Sequence, residues 1–297
     1  MSKKSTQANY ADIKPWVKIA VAQEGAKPAD PLWKDEPSTE KIAKLQQQRI
    51  RFLRKHGKTD PRAKSVAQRL ASCHPRRRCR SGACLQCKRL LQRWFVRGSK
   101  RFIATHLENE KGDLVAISIV PASSIRPPGQ LQSLSIRNFY RRIKYALGKA
   151  GIEVGVGGID FSFNEDREGR YQPFWTPHLY VITSARNKKL LKKELTKCFP
   201  GSVMTPRPIK ISPFQNTKRR RSYALKTYFV RRIGYNQTKK IGNQVRKCRN
   251  TSRDKLRAGE RLELFLFLDR IGLAMRPFFL GVKPHVSSKR VRLLRMG

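Results

Sequence analysis

Apolar residues recur at helical spacing between Thr39 and His56, with Ile42, Leu45, Ile50 and Leu53 on one side and Gly57 as a stop. A second helix is predicted from Asp60-Pro61, where the aspartate can cap and the proline suits the first turn, to the region of Cys73. Leu114 to Val120 (LVAISIV) is short, β-branched and closed by Pro121, which predicts a buried strand. Ser135 to Leu147 carries Ile136, Phe139, Tyr140, Ile143 and Leu147 on one helical face, followed by Gly148 and Gly151. Gly158 to Asn164 (GIDFSFN) alternates as a strand does, Glu165 to Tyr171 reads as a hairpin loop, and Pro177 to Thr183 as the returning strand. Lys188 to Phe199 reads as a basic helix, Ile209 to Ile211 as a strand and Ser222 to Ile233 as a helix. Arg257 to Ile271 reads as a final amphipathic helix before an extended end. Residues 1–37 show little periodicity and are expected to form a weakly ordered arm, despite Trp16 and Trp33.

This order of strands and helices predicts an α+β fold with a largely antiparallel central sheet flanked by helices. Four stretches are expected: the arm (1–37), a helical segment with a cysteine module (38–101), an α+β domain (102–240), and a basic segment with a C-terminal helical extension (241–297).

Charge changes this picture most. The 297 residues contain 66 Lys+Arg against 20 Asp+Glu, a formal charge of +46, which is the footprint of a protein that binds a polyanion. A hydrophobic content of 39% separates the chain from a simple basic tail. No apolar run approaches the roughly 18 residues of a membrane span, and the start lacks a signal-peptide core. A cytoplasmic protein with no membrane partner is expected.

Four of the six cysteines fall between Cys73 and Cys87 in CHPRRRCRSGACLQC. The CxxC pair Cys84/Cys87 has zinc-knuckle spacing, and Cys73 and Cys79 can complete a tetrahedron, with His74 as a possible substitute ligand. Beyond it, Arg89, Arg93 and Arg97 lie four apart on one helical face, which predicts a basic surface for a DNA backbone. Lys218, Arg219, Arg220, Arg221, Arg231 and Arg232 form a second predicted phosphate-binding tract, in which Tyr223 and Tyr228 can stack on bases.

A cysteine pair, a basic segment, the strand LVAISIVP, the helix FYRRIKYAL, the strand GGIDFSFN and then PFWTPHLYVIT together resemble the rolling-circle replication initiators of the HUH endonuclease superfamily, over about residues 73–235. The resemblance implies an HUH/RRM-like sheet and a metal-dependent single-strand DNA endonuclease, or transesterase, of a plasmid, phage or similar element. It implies a divalent cation, Mg2+ or Mn2+, at Asp160 and His178. It also implies a tyrosine nucleophile with Lys226 beside it, on single-stranded DNA or an origin hairpin. Two positions depart from the family pattern: Tyr180 stands at the second histidine of the strand, and Thr227 at the tyrosine. Tyr228 is one residue late, and Tyr223 is the other candidate nucleophile. A non-catalytic DNA-binding protein on the same scaffold, and a zinc-ribbon RNA-binding protein, are the alternative readings.

Overall fold

The computed structural model describes residues 15–27, 30–241, 244–287 and 290–296. Four helices come first: α1 (Pro15–Gly25), α2 (Thr39–His56), α3 (Pro61–Ala71) and α4 (Leu85–His106). Then follow β1 (Asp113–Ile119), α5 (Ile136–Lys149), β2 (Gly155–Asp166), β3 (Phe174–Ala185), α6 (Lys188–Cys198), β4 (Ile209–Pro213) and the five-residue α7 (Lys218–Ser222). The chain continues through β5 (Val230–Ile241), β6 (Gln244–Asp254), α8 (Ala258–Ile271), β7 (Pro277–Leu280), β8 (Val282–Ser287) and β9 (Arg290–Arg295).

Local chemistry sets the ends of the helices that the sequence placed correctly. Ser38 caps α2 through Lys41 N–H, Asp60 caps α3 through Arg62 N–H with Pro61 in the first turn, and Ser135 caps α5 through Asn138 N–H. Each satisfies a backbone donor that the first turn leaves without a partner.

The main sheet runs β4-β1-β3-β2-β5-β6, and β7 pairs with the beginning of β2. It is mixed, not antiparallel throughout: β2 and β5 pair in parallel from Ser162↔Val230 to Asp166↔Gly234. One side of β2 is thus shared, with β7 on Gly155–Gly158 and β5 on Ser162–Asp166. Strands β8 and β9 form a separate two-stranded sheet.

The first part of the chain differs from the expected arm. Residues 15–25 are a helix, with Trp16, Val17, Ala20 and Val21 in the core; residues 1–14 lie outside the described residues. Trp16 stacks on Trp94 with centroids 5.0 Å apart, and Trp94 Nε1 donates to the carbonyl of Val291 at 3.3 Å. Helix α1 is thus wedged between α4 and β9. The exposed side of α1 includes Pro15, Ala22 and Gly25 and its buried side includes Glu24, so the amphipathic pattern that announces a surface helix is missing here. A continuous apolar cluster extends from Trp16 to Leu293 and includes residues of all four predicted stretches.

Candidate functional site

Cys73 follows α3, Cys79 lies in the next loop, and Cys84 and Cys87 occupy the N-cap and first turn of α4. Three of the four are buried, and all are free thiols. The sulfurs of Cys73 and Cys87 are 3.5 Å apart, those of Cys79 and Cys87 3.8 Å, and those of Cys73 and Cys84 3.6 Å. Tetrahedral zinc with Zn–S bonds of about 2.3 Å requires sulfurs about 3.8 Å apart, so the four cysteines are placed to hold a metal ion such as zinc. They are the only such cluster of three or more ligands among the described residues. His74 is not part of it; its backbone instead bridges to Arg77. Gln46 of α2 touches the site, donating to Cys84 Sγ at 3.6 Å and accepting from Leu85 N–H at 3.0 Å. The cluster therefore ties α2, α3 and α4 together.

The basic face expected on α4 is not a surface. Arg89 and Arg93 are buried against Glu36, at 2.8 and 3.0 Å, and Arg97 reaches Glu24 at 3.5 Å. Arg93 also donates to the carbonyl of Asp30 at 2.8 Å. A guanidinium taken out of water needs acceptors for its N–H groups and is best offset by a carboxylate, and the segments folded over α4 bring two. These arginines hold the N-terminal segments in place and do not present an open row of cations to DNA.

The segment after α7 departs further from expectation. The predicted helix from Ser222 to Ile233 stops after one 3-10 turn (Tyr223–Leu225), and Val230 begins β5. Side chains from elsewhere capture the carbonyls that a helix would have used. Gln92 Nε2 donates to Ser222 O at 2.8 Å, Lys88 Nζ to Thr227 O at 2.7 Å, and Arg276 Nη2 to Lys226 O at 3.0 Å. Arg276 also binds Ile159 O at 3.0 Å, between the parts of β2 paired with β7 and β5. Phe229 lies between these two side chains, with Lys88 Nζ 4.2 Å and the Arg276 guanidinium 5.2 Å from its ring centroid. The turn rests on the sheet where Gly158 has no side chain: a Cβ there would come within 2.3 Å of Ala224 O.

This strap closes a cavity of about 210 Å3, lined by Asp160 and Ser162 from β2, Tyr223, Lys226 and Tyr228 from the strap, and Trp33, Asp35 and Pro37 from the N-terminal segment. Arg219, Arg232 and Arg253 line it as well. Asp160 and His178 are directly opposed on β2 and β3, so their side chains share a sheet face. His178 Nε2 and Ser162 Oγ share a hydrogen bond of 3.0 Å. Lys226 Nζ donates to Asp160 Oδ2 at 2.8 Å and lies 3.9 Å from the Tyr223 ring centroid. Tyr180 meets Tyr223 edge-on, with centroids 5.0 Å apart.

Electrostatics fixes the charge states. Burial, helped by Arg232, pushes His178 down to about 3, so its imidazole is neutral. Burial opposes the charge on Asp160, yet the Lys226 ammonium outweighs it and holds the carboxyl below its ordinary value. Burial likewise opposes the charge on Lys226, but Asp160 and Tyr223 raise its pKa. Burial pushes Tyr180 up to about 12, leaving a neutral phenol. Stability is therefore expected to decline as pH falls from about 6.5 towards 3. The unfolded chain then takes up a proton that folded His178 refuses, a loss of roughly 3 kcal/mol by pH 4. The lowered carboxyl of Asp160 adds loss in the same direction below its ordinary value. Urea midpoints across that pH range would show it, and His178→Gln should flatten the upper part of the slope.

Asp160 and His178 do not fit a divalent cation. Asp160 Oδ1 is buried without a hydrogen-bond partner, as a cation site would require. Oδ2, however, already carries an ammonium, and no third histidine, cysteine or carboxylate completes a set among the described residues. A hard cation takes six or more oxygen donors, few of which are present.

Of the other predicted phosphate contacts, Lys218, Arg219 and Arg220 are exposed on α7, and Arg232 is half-buried at the pocket. Arg219 pairs with Asp35 at 3.0 Å. Arg221 turns inward to the carbonyls of Val96 and Asn216, at 2.9 and 2.6 Å, and Arg231 is buried against Glu165 and Asp254. Neither faces a ligand. Sequence reasoning missed Ser162, Lys88, Gln92, Arg253 and Arg276. Only Ser162 carried a signal, standing two residues beyond Asp160 on an alternating strand.

No helix among the described residues is long and apolar enough to cross a membrane. The chain matches no family model, no curated protein and no solved structure, and the geometry of this pocket is the ground on which its function is read.

Proposed function

We propose that the protein binds single-stranded DNA across this pocket, on a scaffold like that of the replication initiators its sequence resembles. The observation that carries the reading is the pairing of aromatic and cationic groups at the opening. Tyr223 and Tyr228 are 44% and 68% exposed, and Lys226, Arg219, Arg232 and Arg253 surround them. Large aromatic side chains exposed beside arginines suit unpaired bases, whose faces stack on the rings while cations hold the phosphates. The buried Arg276 guanidinium beneath the strap adds positive potential at the same place, while burial and Arg276 itself push the Lys88 ammonium well below its ordinary pKa.

A second reading is favoured by the contact of Tyr223 with Lys226, which itself pairs with Asp160. In it, the Tyr223 hydroxyl attacks a phosphodiester, forms a phosphotyrosine and releases a 3′ hydroxyl, and Lys226 supplies the positive charge. Tyr223, not Tyr228, is the nucleophile on this reading because it contacts the ammonium.

Fluorescence anisotropy with a labelled single-stranded oligonucleotide tests both. Tyr223→Ala and Tyr228→Ala are each expected to weaken binding by about 1–3 kcal/mol, the value of one stacked base. Unchanged affinity in both would remove the stacking role. A covalent adduct that resists denaturation, persists in EDTA and disappears in Tyr223→Phe supports strand transfer. Intact binding with no adduct leaves a binding protein alone.

A further inference from the structure

Inside the cysteine cluster the chain makes one tight turn that neither the metal site nor the pocket uses. His74 N–H donates to Arg77 O at 3.3 Å and Arg77 N–H to His74 O at 3.0 Å, which puts Pro75 and Arg76 at its corner. Cys73 precedes the turn and Cys79 follows it, so a metal ion held by both would close its base. The limb that leaves the turn is pinned as well. Arg78 Nη1 donates to Gln86 Oε1 at 3.0 Å and Ser81 Oγ to Asp269 Oδ1 at 2.6 Å. Gly82 lies against α8 so closely that a Cβ there would come within 2.2 Å of Leu268 O. A turn fixed at its base and along its return limb holds its tip in a set position.

The residues at that tip are not those a turn selects. Glycine, asparagine, aspartate and serine are the usual company of a proline at a corner, and Arg76 and Arg77 stand in their place. Both are exposed, and neither has a hydrogen-bond or ion-pair partner among the described residues, whereas Arg78 beside them is committed to Gln86. The neighbouring sequence offers no counter-charge, since no aspartate or glutamate occurs from Pro61 to Leu107. Arginines kept only to offset thiolate charge would lie on the sulfurs, as Gln46 Nε2 lies 3.6 Å from Cys84 Sγ. Among the described residues, Arg76 and Arg77 make no such contact.

A guanidinium offers a planar fork of N–H donors that matches a pair of phosphate oxygens. No Phe, Tyr or Trp occurs from Gly57 to Arg93, and the only aromatic ring at the tip is the small imidazole of His74. Unpaired bases would find little to stack on here, in contrast to the pocket. A cationic tip of this kind suits a duplex, whose bases are already stacked and whose phosphates face outward.

We propose that the turn from His74 to Arg77 is a second DNA contact, in which Arg76 and Arg77 bind backbone phosphates of a duplex without reading its sequence. The inference rests on reading the protein as a DNA binder and extends that reading beyond the pocket.

The test uses the full chain loaded with zinc and its Arg76→Ala/Arg77→Ala variant, with zinc content and melting temperature compared between the two. Anisotropy is measured over a range of salt on two duplexes of unrelated sequence and on a short single strand. On both duplexes, the plot of log K against log salt is expected to become shallower by about 0.9 for each phosphate that the variant no longer neutralises, or about 1.8 for two. The single-strand affinity should be unchanged. In the parent protein, either duplex should also shield Arg76 and Arg77 from phenylglyoxal, mapped by mass spectrometry. That measurement needs no substitution and decides the matter if the variant loses its metal. An unchanged duplex slope, equal losses on duplex and single strand, or full reaction of both arginines with the duplex bound overturns the site. Parent protein that binds the single strand but not the duplexes overturns it while leaving the pocket reading intact. Duplex binding that depends on the two arginines, without single-strand binding, does the reverse.

Discussion

Glu36→Ala is expected to destabilise the protein by about 3–5 kcal/mol, the usual cost of leaving a buried charge without its partner. Glu36 is fully buried and meets two guanidiniums, Arg89 at 8% and Arg93 at 2% side-chain exposure. Its second carboxylate oxygen also accepts the backbone N–H of Leu32. Removing it therefore loosens the turn that carries Trp33 and Asp35 to the pocket wall, so single-strand affinity should fall together with stability. Urea unfolding by linear extrapolation measures the first effect, with exposed Lys58→Ala, expected within about 0.5 kcal/mol of the parent, as the control. A loss for Glu36→Ala as small as the control's would mean that these arginines find enough other acceptors and that the pair is dispensable.

Metal removal is expected to have the larger effect. Structural zinc sites bind with about 10–16 kcal/mol of apparent free energy, comparable to or above the 5–15 kcal/mol that typically separates folded from unfolded domains. The cysteine cluster lies where α3 ends and α4 begins, with Gln46 of α2 against it. A chelator should therefore melt the packing of these helices and, through Lys88 and Gln92, release the strap. One zinc per chain, lost in Cys84→Ser/Cys87→Ser together with a large drop in melting temperature, is the expected result. A preparation without metal and with the same melting temperature as one reconstituted with zinc would contradict it.

Both effects involve α4, and they separate what could be read from the chain in different ways. The CxxC spacing is local: Cys84 and Cys87 fall on one side of a first helical turn whatever else the protein does, and their closeness to Cys73 and Cys79 followed. The arginines four apart on the same helix had no such certainty. A row of cations has identical spacing whether it faces phosphate or a buried carboxylate, and Glu36 lies more than fifty residues from Arg89 in sequence. Only the packed structure decides which.

Where adjacent residues suffice, the sequence alone was sufficient. Ser38, Asp60 and Ser135 cap their helices through N–H groups two or three positions away, and Asp160 and Ser162 share a face of β2 because strands alternate. Where a distant partner is needed, it was not. Tyr223 to Ile233 has the apolar spacing of a helix, but buried Lys88 and Arg276 hold its carbonyls, and β2 offers Val230 an open edge. Those contacts outweigh the residues' modest helical preference. They turn a predicted helix into a strap and a strand, and place Tyr223 against Lys226.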